Sequence, residues 1–268
     1  MKRLLLILSL ACSSFIFSNS AFASEMNGDL TKNEVDQLKN DVGLSDELIQ
    51  SIEIEEAREL IEENAVLLSH VEEIITFDEF SDSIVPYGSQ GGDLNAKQIK
   101  LSGDAYKVTN NNSSYKGQVK LKFVGNWEWL SAPINAYKDG FAIGWPTSEK
   151  VKLPTSNNGV DEFSADYYRW DSRLGKWYLT SSSKVPRDYE PNGGTGWIFD
   201  LRQGGSLSKG SLTQYAYTNS KTGSMNYKFT YGHAQLLLNP SLSISKGVFG
   251  VVPGNTVKVG HAAGTVTW

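Results

Sequence analysis

The sequence predicts a mainly β protein: an antiparallel β-sandwich of jelly-roll type, preceded by a short acidic α-helical segment. Three observations carry this. Apolar and polar residues alternate with a period of two in much of residues 96–268, as in Val119, Leu121, Phe123 and again in Met225, Tyr227, Phe229, Tyr231. Gly, Pro and Asn turn clusters punctuate the same region, with no helical period of useful length between them. Composition also breaks near residue 83. Residues 24–83 hold 18 acidic and 3 basic side chains, whereas residues 84–268 hold 12 and 20; all 7 Trp, 12 Tyr and 8 Pro lie in the second stretch. A closed barrel is the second architecture that fits, and the lack of an internal repeat excludes propellers and solenoids.

The first 23 residues read as a secretory signal peptide. Lys2 and Arg3 form a positive start, Leu4 to Phe17 an apolar run, and Ala21-Phe22-Ala23 a small-x-small cleavage site before Ser24. The alternative is a lipoprotein acylated at Cys12. Cys12 is the only cysteine, so the mature chain has no disulfide and depends on its core. Beyond the leader no stretch is apolar for 18 residues, which excludes an integral helical membrane protein. With 40% hydrophobic and 21% charged residues, wholesale disorder is excluded too.

Residues 24–83 read as short amphipathic helices. Thr31 and Glu34 have capping-box spacing, Gly43 closes the first helix, and Ser45 caps the next. Leu48, Ile49 and Ile52 form one apolar stripe, and Ile54, Ala57, Leu60 and Ile61 another. Such short helices need a partner surface. A segment of net −15 joined to a domain of net +8 is therefore expected to dock on the basic β surface, as a shield or pro-region. Residues 84–95 (Pro86, Gly88, Gly91, Gly92) read as the linker. In the β domain, 166–170 and 176–180 flank a turn at 172–175 and predict a hairpin. Residues 211–231 predict a second one around the polar turn at 219–224.

Chemistry is sparse. His233 and His261 lack the spacing of a metal site or the elbow of a serine hydrolase, and strand-end or loop roles fit them better. The catalytic candidates are the carboxylates Asp161, Glu162 and Asp166, with Asp171 beside them, since facing carboxylates can hydrolyse glycosides. No metal or cofactor motif is present. The aromatic residues are the strongest local signal. Trp127 and Trp129 share one strand face, as do Tyr168 and Trp170. Trp127, Trp129, Tyr168, Trp170 and Trp177 are accordingly the candidate ligand-binding set, for stacking on sugar rings; core packing of these side chains, with Tyr167, Tyr178 and Trp197, is the competing reading.

The stretch Gly43 to Ile49 and Ala57 to Asn64 resembles a short helical segment of exported proteins from Bacillus-type Gram-positive bacteria. The β half, with Gly140 to Gly144 and its aromatic hairpins, is similar in layout to small uncharacterised exported β-proteins of those bacteria. The resemblance implies secretion and transfers no catalytic or binding residue. The combined expectation is a secreted, non-enzymatic binding module at the cell envelope. Its partner would be carbohydrate or an anionic cell-wall polymer, and nucleic acid is not expected. The rivals are a polysaccharide or cell-wall hydrolase, and a β-pore-forming toxin using residues 211–231. A Leu-Pro-x-Thr-Gly anchor is not found, so release or non-covalent retention is expected.

Overall fold

The computed structural model describes residues 30–77, 97–133, 137–201, 206–234, 240–245, 248–252 and 257–268. The signal peptide with Cys12, and the linker at 84–95, lie outside them. Three helices come first: α1 (Lys32–Gln37), continued by a π-turn over Leu38–Val42, α2 (Asp46–Ser51) and α3 (Ile54–Glu62). Their starts and stops follow the sequence signals. Thr31 Oγ1 accepts from the Glu34 N–H (3.2 Å), and the Glu34 carboxylate accepts from the Thr31 N–H (2.6 Å). Gly43 turns the chain at φ 88°, in the left-handed region, and the Ser45 hydroxyl caps α2. Arg58 reaches Glu34 at 2.8 Å and ties α3 to α1.

The strands are β1 (Val66–Phe77), β2 (Lys97–Val108), β3 (Val119–Trp129), β4 (Lys138–Gly144), β5 (Val151–Lys152), β6 (Thr155–Ser156), β7 (Gly159–Val160) and β8 (Phe163–Asp171). They continue as β9 (Lys176–Ser183), β10 (Asp188–Glu190), β11 (Gly194–Asp200), β12 (Ser208–Thr218), β13 (Ser224–Ala234), β14 (Ser241–Ser245), β15 (Val248–Val252) and β16 (Val257–Thr267). Twelve of them build two antiparallel sheets, the sandwich that the alternation predicts, while β6 pairs with β7 and β14 with β15. One is seven-stranded, in the order β1-β2-β3-β12-β8-β9 with β5 beside β12; the other is five-stranded, β10-β11-β4-β13-β16.

Two sequence expectations need correction. The acidic stretch is not helical to residue 83: the helices stop at Glu62, and Val66–Phe77 is a strand of the large sheet, paired with β2. A bulge between Leu67 and Ser69 breaks its alternation, so Leu68 and Val71 both pack on the core. Because the stretch contributes a strand, it cannot leave as a detachable shield without opening the sheet. The 211–231 hairpin is the second correction. Its turn is real, but β12 and β13 are interior strands of opposite sheets, each paired elsewhere. The toxin reading loses the hairpin it rested on. The 166–180 hairpin is present as β8–β9.

Between the sheets lies an aromatic core. Trp127 stacks on Phe199 (centroids 4.9 Å, planes 9° apart), and Phe123 stacks on Trp145. The Phe229 ring lies on Gly103 and Gly125, which are paired in register on β2 and β3. A Cβ at Gly103 would stand 1.9 Å from that ring. Gly103→Ala is therefore expected to lower unfolding stability by about 1–3 kcal/mol, the usual penalty of overpacking. Equal denaturant midpoints for variant and parent would refute this seating.

Part of the outer face of the large sheet is covered as well. Leu38, Ile49, Ala57 and Leu60 of the helical layer form a second core with Tyr106, Val108, Val124 and Tyr215. Of the apolar stripes read from the sequence, Ile49, Ala57 and Leu60 are thus buried against the β surface, and Leu48, Ile52 and Ile61 pack on them partly buried. Charge follows: Lys122 of β3 meets Glu59 (2.8 Å) and Glu63 (3.1 Å), and Lys209 of β12 meets Glu53 (3.2 Å).

Candidate functional site

A β-sheet turns alternate residues to the same face, so a registered sheet lays rows of side chains across its strands. One such row on the helix-covered face is Glu72, Ser102, Asn126, Ser211, Asp166 and Ser182, contributed by β1, β2, β3, β12, β8 and β9. Six strands at the usual spacing make this track about 24 Å long. The neighbouring row is Lys100, Glu128, Lys209, Tyr168 and Leu179. On the other side stand His70 and Asp104.

Glu72, Ser102, Asn126 and Ser211 of this track floor a cleft of about 190 Å³, and Asp166 and Ser182 continue the row beyond it. Its wall is the helical layer, through Leu48, Ser51, Ile52, Glu53 and Glu56. The groove exists because the helices cover only part of the sheet. Small side chains at Ser102 and Ser211 leave the floor low beside the wall. Neither these hydroxyls nor the Asn126 amide is engaged by another described side chain.

The two ends differ. Toward β1, His70 Nδ1 lies 2.7 Å from Asp104, and Lys100 lies 2.7 Å from Glu72. The hydrogen bond to Asp104 raises the His70 pKa, against a smaller opposing effect of burial. Glu56 hangs over this end, half-buried in the groove's wall. Burial pushes its pKa up to about 7, partly offset by Lys122. Toward β9 the groove ends at Tyr168 and Lys209, and the hairpin beyond them is aromatic. Trp170 and Trp177 meet edge to face (centroids 5.4 Å), and the Lys209 ammonium lies 5.5 Å from the Tyr168 ring and 5.3 Å from that of Trp177.

The candidates chosen from sequence divide between the two sheet faces. Tyr168, Trp170 and Trp177 are all half-buried; Tyr168 lines the groove, and the Trp170–Trp177 pair stands beyond it on the β8–β9 hairpin. Trp127 and Trp129 do share a face, but it is the inward one. They are 1% and 0% exposed, and the Trp129 indole donates to the Tyr231 hydroxyl (2.9 Å) inside the core. They offer no stacking platform. Asp166 belongs to the polar track. Asp161 instead accepts from Ser156 (3.0 Å), and Glu162 holds Lys120 (3.2 Å) and the Tyr217 hydroxyl (2.6 Å). Asp171 accepts from the backbone N–H of Arg173 and Leu174 in the β8–β9 turn. His233 is fully buried beside Asp139, and His261 is an exposed residue of β16. Among the described residues no group of three His, Cys, Asp or Glu is arranged to hold a metal ion, and no helix is long and apolar enough to cross a membrane.

No protein-family model matches the chain, and no curated protein matches it. Among solved structures, a pore forming protein aligns over 76% of this chain and 92% of its own, at 8% identity and a TM-score of 0.32. Clostridium perfringens delta-toxin aligns over 76% and 94%, at 7% identity and 0.30. The KRT10-binding region domain of the pneumococcal serine rich repeat protein PsrP aligns over 62% and 88%, at 12% identity and 0.26. At these scores the likeness assigns no function.

Proposed function

We propose that this chain is a secreted glycan-binding protein that lays an extended saccharide along the groove between the helical layer and the large sheet. The supporting observation is the registered row Ser102, Asn126, Ser211, Asp166, with Tyr168 in the next row and the Trp170–Trp177 pair one row beyond it on the β8–β9 hairpin. Strand spacing repeats the hydroxyl, amide and carboxylate groups at about 4.8 Å, close to the length of one pyranose. Each sugar unit would thus meet its own polar partner. The tryptophan pair supplies a flat apolar face for a ring at one end. Such a site needs no catalytic group, and the carboxylates Asp161 and Glu162 stand elsewhere in structural bonds.

The reading is tested by electrophoresis of the secreted chain through gels containing soluble polysaccharides. Retardation by at least one uncharged or amino-bearing glycan is expected. Trp177→Ala should weaken it about tenfold, ~1.4 kcal/mol, without moving the melting temperature. Ser211→Gln, which fills the track, should weaken it as well. If no glycan retards the chain, or both variants bind like the parent, the groove is not a saccharide site.

A further inference from the structure

We infer that the β8–β9 hairpin is a membrane-surface anchor, which seats its tip in a bilayer interface carrying anionic headgroups. This goes beyond the groove reading and does not depend on it. A solitary exposed apolar side chain is ordinary, whereas a cluster of them marks a surface that something covers. Over residues 174–179, Leu174 is 60% exposed, Tyr178 37% and Leu179 55%.

The tip holds its leucine outward by construction. Gly175 stands at φ 60°, its N–H donates to the Asp171 carbonyl (2.8 Å), and the Asp171 carboxylate accepts from the N–H groups of Arg173 (2.8 Å) and Leu174 (3.2 Å). A turn bonded in this way asks for Gly and Asp; its geometry makes no use of a leucine side chain. β9 is the last strand of the large sheet and pairs with β8 alone.

The distribution of the side chains says what covers them. Alternation turns Trp170, Trp177 and Leu179 to one face of the hairpin and Tyr178 to the other, with Leu174 at the end. A flat protein surface covers one face of such a blade; a bilayer interface takes in both faces and the end. The residue types agree. Trp and Tyr join an apolar body to a polar edge, which suits the level where headgroups meet hydrocarbon. Trp170 and Trp177 brace each other edge to face, so the tip enters preformed and little ordering is left to offset binding.

Charge selects the lipid class. Arg173 in the turn and Lys176 at the start of β9 are exposed, and neither forms an ion pair with a described carboxylate. Lys176 lies instead 4.9 Å from the Tyr178 ring centre. The acid of the tip, Asp171, is held by the turn N–H groups. Two unpaired cations thus flank an apolar end, and an anionic headgroup layer complements both features at once.

The experiment sediments the full secreted chain with vesicles of phosphatidylcholine alone and of an equimolar mixture with phosphatidylglycerol, neither of which carries a saccharide. The mixed vesicles are expected to bind the chain at least about tenfold more tightly than phosphatidylcholine at low salt, with the margin shrinking as salt rises. Arg173→Ser/Lys176→Ser should weaken capture on the order of twentyfold, about fivefold for each cation lost. Leu174→Ser should weaken it about tenfold. These side chains lie on the surface, so the melting temperature should not move. Ser211→Gln, which fills the groove, should sediment like the parent. Capture by neither vesicle, equal capture by both, or hairpin variants that bind like the parent overturn the inference. Capture lost with Ser211→Gln and kept by the hairpin variants overturns it too, by putting the lipid in the groove. Analytical ultracentrifugation covers the remaining occupant, a second copy pairing along β9. A parent dimer that Leu174→Ser converts to monomer overturns the anchor. Each of these outcomes leaves the saccharide reading to its own gel test.

Discussion

Replacing Lys122 by Met is expected to destabilise the chain by about 3–5 kcal/mol, although methionine fills nearly the same space. The Lys122 side chain is 0% exposed and stands where the helical layer meets the sheet. Its ammonium holds Glu59 at 2.8 Å and Glu63 at 3.1 Å, with the Tyr215 ring 5.5 Å away. The Tyr215 hydroxyl donates to the same two carboxylates, at 3.1 and 2.8 Å. Partial burial pushes the Glu59 carboxyl up, but the bonds from Lys122 and Tyr215 outweigh it and leave its pKa below the usual range. With Lys122 removed, two neighbouring carboxylates face each other over a partly desolvated seam. The triple change Lys122→Met/Glu59→Gln/Glu63→Gln removes the stranded charges along with their partner and should recover most of the loss. Denaturant unfolding of parent, single and triple variants decides this. A triple variant no more stable than the single one would show that packing, not charge, holds the layers.

That seam was half legible in the sequence. The charge split, the two apolar stripes and the caps at Thr31 and Ser45 together predict helices that seek a basic partner surface, and Lys122 and Lys209 answer to them. The strand β1 was not legible. Its bulge interrupts the period of two, and Glu72 and Glu73 extend the acidic composition of the helices before it. The aromatic residues show a different limit. Alternation puts Trp127 and Trp129 on one face, and Tyr168 and Trp170 on one face, but it does not say which face meets the other sheet. The groove itself is a property of register. Ser102, Asn126, Ser211 and Asp166 are far apart in sequence, and each is an ordinary polar residue of a strand. Only the pairing of β2, β3, β12 and β8 brings them into one row. His70 is illegible in the sequence for the same reason, because only the pairing of β1 with β2 sets it against Asp104.

The second large effect concerns Glu56, and its sign runs against the common behaviour of carboxylates. Its pKa stands at about 7 in the folded chain, above the ordinary 4.5, because burial penalises the charged form more than Lys122 favours it. The other groups facing it are Asp104 of β2 and Glu53 and Glu59 of the helical layer, all acidic. A group that binds its proton more tightly when folded contributes most below its unfolded pKa. That contribution falls away as pH rises through the window from 4.5 to about 7. His70, whose pKa Asp104 raises, acts in the same direction: its contribution is complete below 6.5 and is lost as pH climbs through the folded value. Stability of the helical layer should therefore decline from mildly acidic to neutral pH, by about 3 kcal/mol from Glu56 alone. Glu56→Gln keeps the shape and removes the charge. The variant should match the parent near pH 4, exceed it by about 3 kcal/mol near pH 8, and show a flatter profile between. Glu34 works in the opposite sense, with its pKa lowered to about 2 by Arg58 and the Thr31 cap, but its window lies below 4.5 and does not overlap. Unfolding free energies of parent and variant at intervals across this range give the test. Parallel profiles would mean that the Glu56 carboxyl reaches water and carries no penalty. A profile that converges at acid pH and separates above neutrality would show that the half-buried acid at the wall of the groove is penalised when charged.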